Sequence, residues 1–211
     1  SKGNVIYPET LMDRYGLDAL RYYLFRAMPY ANDGLFTPED FVDRVNFYLA
    51  NDLGNLLNRT VSLINKYEGG IIPEFKAGVN EADKELEEVS KESIAGFKKS
   101  MDDLHFSEAL SEVWKLVSQS NKYIDQTEPW VLAKNDADKE KLASVMSHLA
   151  ASLRVIAELI SPIMTHAPKE IFQQLGLDEA IDIKNLDISD LPAGAKTVAK
   201  GTPIFPRVDV D

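Results

Sequence analysis

A long amphipathic segment, residues 38–67, constrains the fold of this chain more than any other feature of its sequence. Thr37 suits an N-cap, Pro38 suits the first helical position, and Gly69-Gly70 marks the end of the segment. At about 100° per residue, one face of such a helix is almost entirely apolar. That face carries Val42, Val45, Leu49, Leu53, Leu56, Thr60, Leu63, Ile64 and Tyr67. Because a helix gains most of its stability by packing such a face, the pattern predicts a helical core.

The same helical periodicity recurs along most of the chain. The predicted helices are two short ones within 8–27, separated at Gly16, and longer ones over about 81–104, 107–128, 137–160 and 162–175. Ile181-Asp182-Ile183 is read as a brief strand or an extended stretch, and no other segment alternates with a period of two. We therefore expect an all-α fold, an antiparallel helix bundle with an extended C-terminal tail.

Proline and glycine divide the chain into three parts. Residues 1–36 contain the two short helices and the linker Pro29–Phe36, in which Asn32-Asp33-Gly34 is a turn signal. Residues 37–175 form the helical bundle. Residues 176–211 contain Pro192, Gly194, Gly201 and Pro203, which break regular structure. We expect this last part to lie extended against the surface of the protein.

Composition excludes several classes of protein. There is no cysteine, hence no disulfide or thiolate metal site, and this is compatible with a reducing cytosol. No unbroken apolar run approaches the roughly 18 residues that span a bilayer, and no signal peptide opens the chain. The three histidines, 105, 148 and 166, are too widely spaced to indicate a metal site. A formal charge of −11 argues against general nucleic-acid binding, so any such contact must be local and specific.

Catalytic signatures are missing. The sequence has no glycine-rich phosphate loop, no paired metal-ligand motif on a helix and no nucleophile elbow. Its carboxylates, in 81–104 and 136–141, interleave with lysines as they do on a solvated face, so no general acid–base pair can be singled out. The chain is expected to bind rather than to catalyse.

A polar stripe opposite the apolar face of segment 38–67 is the candidate binding surface. Asn51, Asn55 and Arg59 are spaced by four residues, and their sector of the wheel contains no Asp or Glu between 44 and 66. The same sector carries Arg44, Asn58, Ser62 and Lys66. Amide and guanidinium groups at fixed spacing suit the base edges of unpaired RNA.

An aromatic plane would complete such a surface, because unpaired bases stack on aromatic rings. Trp130 follows a proline at a helix junction, where a large ring is easily left exposed. Trp114 lies among Val113, Leu116 and Val117 and is assigned to the core. The aromatic run 21–25 is assigned to packing, at a contact with a domain outside this chain.

Short motifs along the whole chain carry a resemblance to a known family. Ser1-Lys2-Gly3-Asn4-Val5-Ile6 resembles the trailing half of the lysine-rich ATP loop of class I aminoacyl-tRNA synthetases, with Ser1 its last signature residue and Lys2 following. The later motifs are 52–59 (Asp-Leu-Gly-Asn-Leu-Leu-Asn-Arg), Glu128-Pro129-Trp130 and Phe205-Pro206-Arg207. In this order they resemble the C-terminal helical half of bacterial methionyl-tRNA synthetases.

The resemblance implies a module that reads the CAU anticodon of initiator and elongator methionine tRNAs. It places Asn51, Asn55 and Arg59 at the anticodon, stacks Trp130 on the first anticodon base and returns Phe205-Pro206-Arg207 towards a catalytic domain. That domain, preceding Ser1, would use ATP with Mg²⁺. The module itself would bind no cofactor or metal and would be inactive alone. The implied setting is the cytoplasm, with no membrane or DNA partner.

Two alternatives remain open at this point. The bundle could belong to the valyl, isoleucyl, leucyl or cysteinyl members of the same class, because the opening Ser-Lys-Gly-Asn-Val is shared with the valyl enzyme. A helical scaffold for protein–protein interactions would also explain the acidic charge and the amphipathic helices.

Overall fold

The computed structural model describes residues 7–27 and 36–210, and most of these are helical. The helices are α1 (Pro8–Tyr15), α2 (Leu17–Ala27), α3 (Pro38–Arg44), a π-helical segment (Val45–Gly54), α4 (Asn55–Glu68), α5 (Glu81–Asp102), α6 (Phe106–Thr127), α7 (Pro129–Leu132), α8 (Lys139–Ile160) and α9 (Ala167–Leu175). Single 3₁₀ turns occupy Asp136–Asp138, Ile183–Asn185 and Ile188–Asp190. The all-α prediction is confirmed. The ATP-loop residues Ser1 and Lys2 and the turn Asn32-Asp33-Gly34 lie outside the described residues.

The predicted long helix is one continuous element, which we call the long helix and which comprises α3, the π-helical segment and α4. Thr37 caps it, since its Oγ1 accepts a hydrogen bond from the Asp40 amide at 3.1 Å. Gly69 ends it with a φ of 60°. The ten residues from Val45 to Gly54 are wound more widely than an α-helix, which the 100° wheel did not anticipate.

Four elements alternate in direction and form the bundle. The long helix is followed by α5, α6 and α8, and side-chain contacts give their relative directions. Asp83 of α5 contacts Tyr123 near the end of α6, so α5 and α6 are antiparallel. Asp83 also contacts Ser144 near the start of α8, so α5 and α8 are parallel. Helix α6 runs alongside the long helix in the same direction, because Trp114 and Asp125 of α6 contact Tyr48 and Arg59 in the same order.

The helix at the centre of the core is α8, which is buried on nearly all sides. Together with the preceding turn it is long and apolar enough to cross a membrane, although it holds no unbroken apolar run of that length because Ser, His, Arg and Glu interrupt it. Within the protein, however, 89% of its apolar window is buried. Among the described residues it is the single helix with this property, and its burial is that of a core helix.

The N-terminal helices pack on the bundle through α2. The Asp18 carboxylate, which is buried, accepts hydrogen bonds from the amides of Thr165, His166 and Ala167 at 2.6–2.9 Å and so caps α9. Tyr22 and Tyr23 are fully buried and lie 4.9 Å from the Trp114 ring and 5.1 Å from the Phe41 ring. The expectation that these tyrosines meet another domain is therefore wrong, because the bundle itself covers them.

The C-terminal segment lies along the long helix in the opposite direction. Near one end Asn65 Nδ2 donates to the Val198 carbonyl at 2.8 Å, and near the other Asn46 exchanges two 2.8 Å hydrogen bonds with the Val208 backbone. The side chains of Ile204 and Phe205 between them are buried. Of the two readings of 181–183, the strand is wrong, since Ile181 and Asp182 have no regular secondary structure and a 3₁₀ turn begins at Ile183. The described residues contain one isolated β-bridge, Ile71 to Lys196.

Candidate nucleic-acid interface

The exposed face of the long helix has α6 on one side and the C-terminal tail on the other. We call this face the polar strip; it carries Asn51, Asn55, Asn58, Arg59, Ser62 and Lys66. On the α6 side, Trp114 Nε1 donates to the Tyr48 carbonyl and Asn121 Nδ2 to the Asp52 carbonyl, both at 3.1 Å. On the tail side, residues 198–208 form the other flank. The polar strip is therefore exposed but held rigidly from both flanks.

The three predicted strip residues do not form one straight row. Asn51 lies in the π-helical segment and is half-buried, and its Oδ1 is 3.5 Å from a guanidinium nitrogen of Arg207 in the tail. Asn55, the first residue of α4, is exposed, and its side chain has no partner among residues 7–27 and 36–210. Because the wider winding ends between them, Asn51 points to the tail while Asn55 faces solvent.

Arg59 has a carboxylate partner that its own helix does not supply. Its Nη2 lies 3.4 Å from Oδ1 of Asp125 on α6, with 40% and 71% of the two side chains exposed. The sector of the long helix was expected to contain no Asp or Glu of its own between 44 and 66, and α6 adds one acid beside it. Because the pair is solvated, it contributes little to stability, and the guanidinium can leave Asp125 for another partner at little cost.

Trp130 lies at the same end of the bundle as Arg59. Helix α6 continues from Asp125 to Thr127 and turns at Glu128, whose φ is +45°, into the short helix α7. Pro129 is buried and anchors α7, whereas Trp130 is 41% exposed. No hydrogen bond or ring contact within the described chain engages the Trp130 indole. A flat apolar surface is thus exposed at the end of the bundle where Arg59 lies.

The prediction that separated the two tryptophans is confirmed for Trp114, which is 3% exposed and donates its indole N–H to the long helix. Sequence reasoning missed Asp125, Arg207 and Asn46 as neighbours of the polar strip. The motif Phe205-Pro206-Arg207 was noticed, but nothing in the spacing indicated that Arg207 meets Asn51. Such contacts depend on which elements lie side by side in the fold, and the hydrophobic periodicity of a sequence does not indicate this.

Charged side chains are distributed unevenly along the polar strip. Asp52, on the α6 side, is half-buried, and burial raises the pKa of its carboxyl. Beyond Arg59, towards the end of the helix, the strip carries Ser62 and Lys66 and no acid. In the described ranges, no three His, Asp or Glu side chains gather where they could hold a metal ion. The site offers amide and guanidinium donors, an amide acceptor and an aromatic plane.

These are the groups that single-stranded RNA bases require. Amide and guanidinium groups pair with base edges, and an exposed ring stacks a splayed base. These groups must also be held at fixed positions to recognise a base, and α6 and the tail both hold the long helix in place. The arrangement fits recognition of an unpaired loop better than binding along a duplex, since the protein as a whole carries a charge of −11.

Comparison with known proteins identifies the family of the chain. Residues 1–61 match the model of class I (M) tRNA synthetases, and residues 72–208 match the anticodon binding domain of methionyl tRNA ligase. The whole chain is 72% identical to part of the methionine–tRNA ligase of Lactiplantibacillus plantarum and 57% identical to part of that of Streptococcus pneumoniae. It spans 31% and 32% of the length of these relatives.

Solved structures give the same assignment. The free form of Mycobacterium tuberculosis methionyl-tRNA synthetase superposes with a TM-score of 0.89 at 28% identity, covering 99% of this chain and 42% of that one. The form bound by methionyl-adenylate gives 0.87 at 30% identity, covering 98% and 41%. The chain belongs to the family of anticodon-binding domains of methionyl-tRNA ligases.

Proposed function

We propose that this chain reads the CAU anticodon of methionine tRNAs, initiator and elongator, on behalf of a larger methionyl-tRNA synthetase. The observation that carries the proposal is the exposed polar strip with Trp130 at the same end of the bundle. The family match supports methionine over the valyl, isoleucyl, leucyl and cysteinyl relatives. No contact among the described residues favours a protein–protein scaffold over this reading.

Each predicted residue has a distinct task in this proposal. Asn55 and Arg59 present hydrogen-bonding groups to base edges, and the Arg59 guanidinium leaves Asp125 at little cost when RNA binds. Asn51 is oriented by Arg207 and contacts the loop from the tail side. Trp130 stacks the first anticodon base, which must leave the loop to reach it.

The remaining chemistry belongs to the larger enzyme. There, a catalytic domain uses ATP with Mg²⁺ to charge the tRNA with methionine, and Ser1 and Lys2 are the trailing residues of its ATP loop. This chain contributes recognition, binds no cofactor of its own and is inactive in aminoacylation when alone. The setting we propose is the cytoplasm, where tRNA is charged.

Arg59 gives the most specific test of the proposal. In titrations of the 211-residue chain with anticodon stem-loop RNAs, we expect Arg59→Ala to weaken binding of the CAU loop by about 1–3 kcal/mol, the scale of a good base-edge contact. Arg59→Lys keeps the charge but loses the planar fork, so it should bind RNA yet discriminate poorly between CAU and a loop with one changed base.

The controls separate recognition from folding. Both variants should keep the wild-type thermal unfolding midpoint, because the Arg59–Asp125 pair is solvated. If Arg59→Lys discriminated between the loops as well as wild type does, base reading by Arg59 would be wrong. If the wild-type chain itself showed no preference for CAU, the proposed function would fail.

A further inference from the structure

A groove between α4 and the tail continues the polar strip beyond the residues assigned to the anticodon. It encloses about 580 Å³ and is lined on the helix side by Asn58, Ser62 and Lys66 and on the tail side by Lys200 and Gly201. Ser62 and Lys66 lie one and two turns beyond Asn58 on the same face of α4. The groove is therefore part of the same surface, open to the same partner.

The wall formed by the tail is fixed at both ends. Before Lys200, Asn65 Nδ2 donates to the Val198 carbonyl at 2.8 Å. After it, Gln174 Nε2 donates to the Thr202 carbonyl at 2.8 Å. Between these points Gly201 lies against α4, because a Cβ there would be 3.4 Å from Asn58 Oδ1. The tail backbone thus holds Lys200 on the groove wall that faces α4.

The charge of the groove differs from that of the rest of the protein. The chain has 34 acidic and 23 basic residues, yet no Asp or Glu lines this groove. Elsewhere, lysines such as Lys115 and Lys122 pair with glutamates. Within the described chain neither Lys66 nor Lys200 has an ion-pair partner, and the Lys66 ammonium lies over the Tyr67 ring at 5.3 Å. Two uncompensated cations beside amide and hydroxyl donors constitute a site for an anion.

The position of the groove indicates which anion. From Arg59 to Lys66 the helix rises about 10 Å at about 1.5 Å per residue. One strand of a nucleic acid rises about 3.4 Å per nucleotide, so this distance corresponds to about three nucleotides. We propose that the groove binds backbone phosphates of the anticodon arm, about three nucleotides from the base that Arg59 reads. The proposal rests on the proposed function, since it assumes that Arg59 contacts the anticodon.

Phosphate contacts and base contacts differ in their response to salt, and the test uses this difference. Titrations of the chain with a CAU stem-loop between about 0.05 and 0.2 M salt give the slope of log K against log salt concentration. We expect Lys66→Gln and Lys200→Gln each to make this slope shallower by about 0.7–0.9. The preference for CAU over a loop with one changed base should stay at the wild-type value, because phosphates carry no sequence information.

Lys99→Gln is the matched control, with the same change of charge at an exposed position near the far end of α5. It should leave the slope unchanged. A second measurement uses a stem-loop with one neutral methylphosphonate, placed in turn at each phosphate within four nucleotides of any anticodon base. At one of these positions, the neutral linkage should remove the difference between wild type and a lysine variant.

The outcomes separate this proposal from the one on which it rests. If wild type prefers CAU but the lysine variants keep its salt slope, or Lys99→Gln changes the slope equally, the phosphate groove is wrong and anticodon reading stands. A lysine effect that persists with every methylphosphonate stem-loop also overturns the groove. If wild type has no preference for CAU, anticodon reading fails, whatever the slopes.

Discussion

Replacing Asp83 with alanine is expected to lower the free energy of unfolding by about 3–5 kcal/mol, because its hydrogen bonds are buried. The fully buried Asp83 carboxylate accepts hydrogen bonds from Tyr123 Oη at 2.5 Å, Ser144 Oγ at 2.7 Å and the Asn80 amide at 2.8 Å. It thereby joins three of the bundle helices. Alanine removes the acceptor that these two buried hydroxyls share and the Asp83 half of the capping box of α5.

Urea unfolding followed by circular dichroism measures this effect, and two variants sharpen it. Burial and the nearby carboxylate raise the pKa of Tyr123 far above its usual value, so the phenol stays protonated and remains a donor. Asp83→Asn keeps the shape and one acceptor and should cost less than alanine. In the Asp83→Ala background, Tyr123→Phe should cost much less than it does in wild type. Additive losses would mean that the two groups act independently.

Leu56→Ala should cost about 2–5 kcal/mol of stability, as expected for a truncated core leucine. Leu56 is fully buried on the core side of α4, one position after the exposed Asn55. Asn55→Ala is therefore the adjacent control, and it should leave the unfolding midpoint nearly unchanged while weakening RNA binding. The reverse pattern, a stable Leu56→Ala and an unfolded Asn55→Ala, would mean that the faces of α4 are assigned the wrong way round.

The helices could be predicted from the sequence because their signals are local. Thr37 and Pro38 start the long helix and Gly69-Gly70 ends it, and the structure agrees on both boundaries. The contrast between the two tryptophans was also predictable, since Trp114 sits among apolar neighbours whereas Trp130 follows a proline. In each case the residues that decide the outcome lie within a few positions of one another.

What could not be predicted depends on which elements become neighbours. The π-helical winding of 45–54 turns Asn51 towards the tail, and no helical wheel anticipates this. Asp125 is 66 residues from Arg59, and the tail residues that meet Asn46 and Asn65 are more than 130 residues away. Tyr22 and Tyr23 were assigned to a contact with another domain for the same reason. Their partners are supplied by the bundle.

Binding of a CAU stem-loop by Trp130→Ala tests most directly whether this surface reads RNA. Stacking of an unpaired base contributes about 1–3 kcal/mol, so alanine should weaken binding on the order of 5- to 150-fold, while Trp130→Phe retains part of the affinity. The slope against salt should stay at the wild-type value, because stacking releases no counterions. Wild-type affinity in Trp130→Ala, with an unchanged unfolding midpoint, would contradict the assignment of this face to the anticodon.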